Sequence, residues 1–316
     1  MPDEYINLNR NTVVLAPRAK INLGLGVLGR DGEGWHELDS IIAPVSLSDR
    51  MSLTFTSSDE WKMHLSGPYA AGIPEREGNL VHRAFDALHN RYPAWHGGCQ
   101  CTLEKCIPYG AGLGGGSSDA AAFFVSTEEI LQRNGLVPAE EYTIHDCAAG
   151  LGSDVVPALG RGWSRIRGRG TEVEDIEGST LYLVIVFLGE SSTPETYRAV
   201  LEQDYSPHVP ELLDQVGTAL AEKAVGSTIM PLLVNALTSA VFRTNRAIRV
   251  QYEQLLQATP EVLWAMTGSG GAFYTIVDTP ADQYQLEQTV RHVCKDVFSC
   301  TTVQGFIPCN VGLEGV

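Results

Sequence analysis

The sequence predicts an α+β protein made of two units, and three observations support this fold class. The chain has 316 residues, more than a single hydrophobic core usually serves. Its first part alternates strand-like stretches with helical ones, and its last part places helices before and between further strands. Because this order is typical of two α+β units, we expect one unit at 1–178 and a second at 179–316.

The elements of the first unit follow from hydrophobic periodicity and turn residues. β-branched, alternating stretches indicate strands, whereas apolar residues three and four apart indicate helices. Ser117 or Ser118 is the expected N-cap of the longest helix, and Asn134 and Gly135 are its stop signal. The predicted elements are strands at Thr12–Leu28 and Ala43–Phe55 with a polar turn at Arg30–Gly34 between them, a helix at Asn79–Arg91, a strand at Cys99–Ile107, helices at Ser118–Arg133 and Tyr142–Ala149, and a hairpin at Arg161–Val173.

The second unit begins with the apolar run Leu181–Leu188, which indicates a buried strand. Three helices follow, then a strand at Ala272–Val277, a helix at Ala281–Val293 and a last strand. Because Leu181–Leu188 is the longest apolar run and far too short to span a bilayer, we expect no membrane partner.

Composition and charge narrow the classes of function. The chain has 22 basic and 38 acidic residues, a formal net charge of −16. Nucleic acids are bound through clustered Lys and Arg, so we exclude a nucleic-acid partner. This argument does not apply to a small anionic substrate, because a local site can be positive on an acidic molecule.

The cysteines and the first residues of the sequence predict a compartment. The seven cysteines contain no C-x-x-C pair, and the acidic first residues lack the base of a signal peptide. We therefore expect reduced thiols, no metal-ligating cluster in the protein itself, and a cytoplasmic location.

The segment Gly110–Ser118 carries the strongest functional signal. It contains five glycines within seven residues and leads directly into a helix. Glycine allows positive φ angles and the close approach of a ligand, and a helix N-terminus adds unpaired N–H donors and partial positive charge. We therefore predict a phosphate-binding loop, in which Ser117 and Ser118 add hydroxyls for a phosphate or Mg²⁺. The alternative is a flexible turn with a serine cap.

Two common phosphate motifs fit this loop less well. A Walker loop ends in Gly-Lys-Ser/Thr, and no lysine follows Gly116. The dinucleotide fingerprint G-x-G-x-x-G occurs at Gly24–Gly29 and Gly110–Gly115. The first match precedes a turn and a strand rather than a helix, and Pro108 interrupts the passage into the second. A dehydrogenase is therefore the weaker alternative.

The residues around the loop resemble the GHMP kinases, a superfamily that includes galactokinase, homoserine kinase and mevalonate kinase. Ile107–Ala121 resembles their phosphate loop, Pro17–Leu23 their first motif, and Thr267–Ala272 their third, a glycine turn near the phosphate loop. The resemblance implies an N-terminal domain like the second domain of ribosomal protein S5 and a ferredoxin-like C-terminal domain. It also implies transfer of a phosphoryl group from ATP, with Mg²⁺, to a substrate hydroxyl.

Within the superfamily, four segments are similar to the family of 4-diphosphocytidyl-2-C-methyl-D-erythritol kinases of the non-mevalonate isoprenoid pathway. The segments are Lys20–Leu23, Gly34–Leu38, Gly78–Val81 and Gly152–Val155. This resemblance, which runs from about residue 16 to 305, implies phosphorylation of the 2-hydroxyl of a cytidine diphosphate-linked polyol. We expect a monomer or homodimer.

The resemblance also implies roles for individual residues. Asp154 would be the catalytic base, and Lys20 would pair with it and help neutralise charge on the transferring phosphoryl group. The residues implied at the ATP are Asn79, Lys105, Pro108, Gly110, Gly112, Gly114, Gly115, Gly116, Ser117 and Ser118. Those implied at the substrate are Asn22, Trp35, His36, Tyr197, Gly268 and Ser269.

Several of these residues have simpler explanations in the sequence alone. Asp154 could be a turn residue or a helix cap, Asn79 could cap the helix that follows it, and Trp35 could be a core residue. A row of arginines in the hairpin would suit a diphosphate or, as the commoner case, would face solvent. The row consists of Arg161, Arg165, Arg167 and Arg169.

Three departures from the family pattern concern the substrate more than phosphoryl transfer. Trp35 replaces a tyrosine beside His36, Asn235–Thr238 lacks two polar side chains of the family segment, and Val156 precedes Pro157 where the family has proline directly. We therefore keep two further hypotheses, a GHMP kinase for another small alcohol and a nucleotide-binding homologue without catalysis.

Overall fold

The chain folds into three β-sheets with helices packed on them, as seen in a computed structural model that describes residues 12–58, 60–93, 95–135, 144–160, 162–307 and 312–313. The strands in these ranges are β1 (Thr12–Leu15), β2 (Arg18–Arg30), β3 (His36–Ser48), β4 (Arg50–Thr56), β5 (Trp61–Ser66), β6 (Gly98–Glu104), β7 (Ser164–Gly168), β8 (Glu172–Asp175), β9 (Tyr182–Phe187), β10 (Ala265–Met266), β11 (Ala272–Val277), β12 (Asp296–Thr301) and β13 (Gly312–Leu313). The α-helices are α1 (Leu80–Arg91), α2 (Gly115–Arg133), α3 (Ile144–Ala149), α4 (Val155–Leu159), α5 (Thr193–Arg198), α6 (Val209–Ala221), α7 (Gly226–Ile229), α8 (Thr238–Thr244), α9 (Arg246–Ala258) and α10 (Pro280–Val290). None of the described helices is long and apolar enough to cross a membrane.

Two of the sheets come from residues 12–175, and β13 joins one of them from the other end of the chain. Their strand orders are β13-β1-β4-β6-β5 and β2-β3-β7-β8. Helices α1 and α2 pack on the first sheet around a core that contains Phe55, Trp61, Phe85 and Phe123. The long helix α2 is therefore held by an apolar face along its length, which leaves its N-terminus free to point into the site.

The third sheet has the order β10-β11-β9-β12. Along the chain this unit runs from β9 through a set of helices to β10 and β11, then through α10 to β12, which is the β-α-β-β-α-β arrangement of ferredoxin-like units. The predicted α+β class and ferredoxin-like second unit are thus confirmed. The boundary at residue 178 lies between β8 and β9 and stays a prediction, because one core cluster contains Ile21 and Trp163 together with Ile185 and Tyr274.

Most predicted elements are present with shifted ends. The strand at Ala272–Val277 is β11, and α1 and α2 end at the residues expected for them. The helix expected from Tyr142 is described from Ile144 onward as α3, and its first two residues lie outside the described part of the chain.

The predicted serine cap of α2 was wrong. The helix begins at Gly115, and its N-cap is Gly114, a left-handed residue with φ 68°. The N–H of Ser118 already donates to the Gly114 carbonyl at 2.9 Å. Because the left-handed glycine turns the chain straight into the helix, Ser117 and Ser118 lie inside its first turn.

The dinucleotide fingerprint at Gly24–Gly29 lies within strand β2. A Cβ on Gly24 would be 2.7 Å from Leu213 Cδ2, and one on Gly26 would be 2.9 Å from Val209 Cβ. These glycines therefore allow α6 to pack closely on β2. Strand β6, which precedes the second match, pairs antiparallel with β4, so the doubly wound parallel sheet of a dehydrogenase is not what the described residues form.

Candidate active site

A cleft of about 610 Å³ opens where the phosphate loop meets the third sheet. The sequence-predicted residues that line it are Lys20, Asn22, Lys105, Pro108, Gly110, Gly112, Gly114, Gly115, Gly116, Ser117, Asp154, Tyr197, Gly268 and Ser269. One cleft thus brings together the loop, the glycine turn of the second half and the proposed acid–base pair.

The phosphate loop and the second glycine turn touch through their backbones. Gly112 has φ 74°, and a Cβ there would lie 2.2 Å from the carbonyl oxygen of Thr267. A Cβ on Gly268 would likewise lie 2.6 Å from the Gly112 oxygen. The N–H of Ala272 donates to the Ala111 carbonyl at 2.9 Å. Only glycine permits this approach, so the repeated glycines have a steric reason at these positions.

Helix α2 directs its N-terminus at the cleft. The N–H groups of Gly115, Gly116 and Ser117 are in its first turn, where no carbonyl of the same helix precedes them. A helix of 19 residues also carries partial positive charge at this end. The hydroxyl of Ser118 is buried and has no hydrogen-bond partner among the described residues. The amides and the helix charge form a binding place for phosphate oxygens, whereas Ser118, also predicted at the ATP, lies outside the lining of the cleft.

Lys20 and Asp154 face each other across the cleft floor. The Lys20 Nζ lies 3.3 Å from Asp154 Oδ2 and donates to Asn22 Oδ1 at 2.7 Å. Lys20 is 4% exposed, and its stem packs on the loop, since a Cβ on Gly114 would meet Lys20 Cγ at 2.9 Å. Asp154 precedes α4, but its side chain makes no capping bond. The carboxylate therefore faces Lys20 and does not cap helix α4.

Asn22 connects the lysine to the second glycine turn. Its Oδ1 also accepts from the N–H of Gly268 at 2.9 Å, and its Nδ2 donates to Ser40 Oγ at 2.9 Å. With these bonds Asn22 holds Lys20 and Gly268 in fixed positions relative to each other.

Lys105 lines the cleft with its ammonium turned into the protein. It donates to Asp49 and, at 2.6 Å, to Asp119. Burial disfavours its charge, but the carboxylates of Asp119 and Asp49 hold the pKa of Lys105 above its ordinary value. Burial, together with the negative charge of Asp49, raises the pKa of the Asp119 carboxyl to about 7 in spite of the neighbouring Lys105. Sequence reasoning missed both acids, although Asp119 directly follows the two serines of the loop motif.

Of the aromatic residues predicted at the substrate, Tyr197 lines the cleft, whereas Trp35 and His36 lie outside its lining. Trp35 is 61% exposed in the β2–β3 turn, with the Arg169 guanidinium 5.8 Å from its ring, so it is not the core residue of the alternative explanation. The rings of His36 and Tyr197 lie 5.4 Å apart. Burial and the charge of Arg30 lower the pKa of His36, and its buried Nε2 has no hydrogen-bond partner among the described residues.

Asn79 lies outside the lining of this cleft. Its Oδ1 accepts from the N–H of Val81 at 2.9 Å as the N-cap of α1, and its Nδ2 donates to the Pro74 carbonyl at 2.8 Å. Asn79 thus caps α1, as the simpler explanation from the sequence expects, and a nucleotide contact at Asn79 stays a prediction.

The described arginines of the hairpin are paired with acids. Arg165 makes two bonds to Asp39, at 2.8 and 2.7 Å, and contacts Asp214 as well. Arg167 pairs with Glu174 at 2.8 Å. Arg169 pairs with Asp31 at 2.6 Å and with Glu33 at 2.8 Å. Since their charges are balanced within the protein, these three offer little to a diphosphate, and Arg161 lies outside the described residues.

This arrangement is suited to phosphoryl transfer. Main-chain donors and a helix N-terminus receive an anion, and a carboxylate beside a lysine can take a proton from an incoming hydroxyl. Such a site defines the class as a phosphotransferase with an alcohol acceptor.

Known proteins resemble the chain in both sequence and fold. Residues 79–162 match the GHMP kinases N terminal domain. A 4-diphosphocytidyl-2-C-methyl-D-erythritol kinase of Thermus thermophilus is 36% identical over 280 residues, covering 88% of this chain and 92% of the relative. One of Thermosynechococcus vestitus is 34% identical over 298 residues, covering 90% and 93%. A crystal structure of 4-(cytidine 5'-diphospho)-2C-methyl-D-erythritol kinase superposes with TM-score 0.73 at 32% identity, covering 92% of this chain and all of the other. The chain therefore belongs to the GHMP kinases and, within them, to the family of 4-diphosphocytidyl-2-C-methyl-D-erythritol kinases, which confirms the resemblance.

Proposed function

We propose that this chain is an ATP-dependent kinase that phosphorylates the 2-hydroxyl of 4-diphosphocytidyl-2-C-methyl-D-erythritol. The observation that carries the proposal is the Lys20–Asp154 pair, with its atoms 3.3 Å apart, beside a loop whose amides converge with the N-terminus of α2. Relatives of that name cover about nine-tenths of the chain, which supports the choice of acceptor.

In this proposal the protein contributes position and charge. The acceptor oxygen attacks the γ-phosphorus, its proton passes to Asp154, and the bond from that phosphorus to the β–γ bridging oxygen breaks as ADP leaves. Lys20 offsets the negative charge that spreads over the transferring group. The loop amides and those of α2 hold the remaining phosphate oxygens.

Mg²⁺ belongs to this proposal as a partner of ATP. The described residues contain no group of three His, Cys, Asp or Glu side chains that could hold a metal, so the ion would depend on the phosphates for most of its ligands. The hydroxyl of Ser117, which lines the cleft, would add one oxygen. The bound ion would neutralise phosphate charge.

The cytosine of the acceptor would lie among Trp35, His36 and Tyr197. An exposed indole and a second ring provide faces on which a base can stack. The imidazole of His36, whose pKa is lowered by burial and by the charge of Arg30, would lie beside the base with the Tyr197 ring. Competition by CMP tests this part by itself.

The test of the chemistry is Asp154→Asn in an ADP-release assay with the diphosphocytidyl acceptor. Loss of the base should lower kcat by about 10² to 10⁴ while ADP affinity changes less than about twofold. The matched control is Asp146→Asn, an exposed acid in α3, which should keep normal turnover. Turnover of Asp154→Asn above one-third of the unaltered rate would end this role.

A second candidate is a GHMP kinase for another small alcohol, favoured by the exchange of tyrosine for Trp35. Assays with mevalonate and homoserine beside the diphosphocytidyl acceptor distinguish the two. Nucleotide binding without ADP release from any of the three would instead favour the hypothesis of a homologue without catalysis.

A further inference from the structure

A buried ion cluster lies directly beneath the phosphate loop, outside the steps of the proposed transfer. It consists of Asp49, Lys105 and Asp119, which are 0%, 4% and 1% exposed. The ammonium of Lys105 contacts both carboxylates. Two buried acids therefore share one buried base.

Asp49 holds the start of the loop. Its Oδ1 accepts from the N–H of Cys106 at 2.6 Å and from that of Ile107 at 2.9 Å. Its Oδ2 would be 3.5 Å from a Cβ on Gly115, so the same carboxylate packs against the first residue of α2. Its own N–H donates to the Pro17 carbonyl at 2.9 Å, at the beginning of the strand that carries the catalytic lysine.

Asp119 holds the other end of the loop. It lies in α2, one turn beyond the amides that face the cleft, and the ammonium of Lys105 joins it to Asp49. Lys105, which precedes the glycine segment, is thus joined by its ammonium to helix α2, which follows that segment. A chain segment whose ends are already fixed loses less freedom when it orders around a ligand.

If the cluster served only to hold the fold together, it would cost the protein free energy of folding. Buried charges cost desolvation free energy, and apolar side chains of similar volume often stabilise a fold as well or better. The second carboxylate also adds negative charge near a site for phosphates. We propose that Asp49 and Asp119 are positioning residues that preorganise the phosphate loop for ATP. The inference depends on the proposed function only in taking ATP as the nucleotide.

The test compares ADP affinity with acceptor affinity in Asp49→Asn. By titration calorimetry ADP should bind at least about tenfold more weakly, since two backbone donors lose a charged acceptor, while the acceptor KM changes less than about twofold. Hydrogen exchange at the Cys106 and Ile107 amides should become faster. Because ADP binding needs no acceptor, the test still decides if the diphosphocytidyl compound proves to be the wrong substrate.

The matched control is Asp204→Asn, which removes a half-buried acid that likewise pairs with a basic side chain, Arg243, and accepts a backbone N–H, from Leu201 at 2.8 Å. It should lose stability as Asp49→Asn does and keep ADP affinity. If Asp49→Asn does not fold, Asp119→Asn decides, with ADP weakened about threefold or more. ADP affinity within twofold of the unaltered protein in the folded variants would overturn the inference. So would an equal weakening of ADP and acceptor, or an equal loss of ADP affinity in Asp204→Asn.

Discussion

Replacing Gly112 by alanine tests whether the two glycine turns must touch. The new Cβ would lie 2.2 Å from the Thr267 carbonyl oxygen and 3.1 Å from that of Gly270, in a backbone with φ 74°. The left-handed conformation costs a residue with a Cβ about 1–2 kcal/mol. Relief of the overlap by movement of packed backbone costs about 1–3 kcal/mol more. We expect a loss of about 2–5 kcal/mol in the free energy of unfolding, a large part of what such proteins have.

Urea denaturation followed by circular dichroism measures this loss, and ADP calorimetry shows whether the loop still binds phosphate. The control is Gly217→Ala in the middle of α6, where a Cβ meets nothing within 4 Å. That substitution should stabilise the protein by about 1 kcal/mol through helix propensity. A Gly112→Ala protein within about 0.5 kcal/mol of the unaltered one would refute the close-approach argument.

Two further predictions concern the buried acid and the exposed indole. Because burial raises the pKa of Asp119 from 3.8 to about 7, the folded protein binds this proton more tightly than the unfolded chain. Its free energy of unfolding should therefore decrease as pH rises through that window, relative to Asp119→Asn; parallel urea-denaturation curves across pH for the two proteins would contradict this. Trp35→Ala should change stability by less than about 0.5 kcal/mol, since the ring is 61% exposed. The same variant should raise the acceptor KM about fivefold or more through lost stacking without altering the KM for ATP, and an unchanged acceptor KM would exclude the indole from the base site.

The parts of the site that are formed by residues adjacent in sequence could be predicted from the sequence. Phosphate binding by main-chain amides requires glycines followed at once by a helix, and both stand together between Gly110 and Ser118. Strand β11 was predicted to the residue because its apolar run is bounded by the glycine turn before it and by Asp278 after it. The roles of Lys20 and Asp154 came from family resemblance alone, since neither residue has a distinctive neighbourhood.

The parts that depend on distant contacts could not be predicted. Asp49 is separated from its partners Lys105, Cys106 and Ile107 by 56 to 58 residues, and nothing next to it marks an anchor. Strand β5 was missed although its apolar residues Trp61, Met63 and Leu65 alternate with polar ones, because the strand is only six residues long and lies at a sheet edge where only Trp61 is fully buried. The strand expected to reach Ile107 ends at Glu104, since the amides after it turn to Ser66 and Asp49.

The crossing of the two glycine turns has a consequence for biosynthesis. The Gly110 carbonyl accepts from Ser191, and that of Ala111 accepts from Ala272, so residues made late complete a pocket whose floor was made early. A nascent chain released from the ribosome only as far as β8 contains the phosphate loop but lacks the residues, such as Ser191 and Ala272, that bond to it. ATP at about 100 times its dissociation constant would stabilise a chain that binds it by about 2.7 kcal/mol, and a chain that lacks the second glycine turn would gain less. Bound ATP would therefore stabilise the completely synthesised chain more than a partly synthesised one.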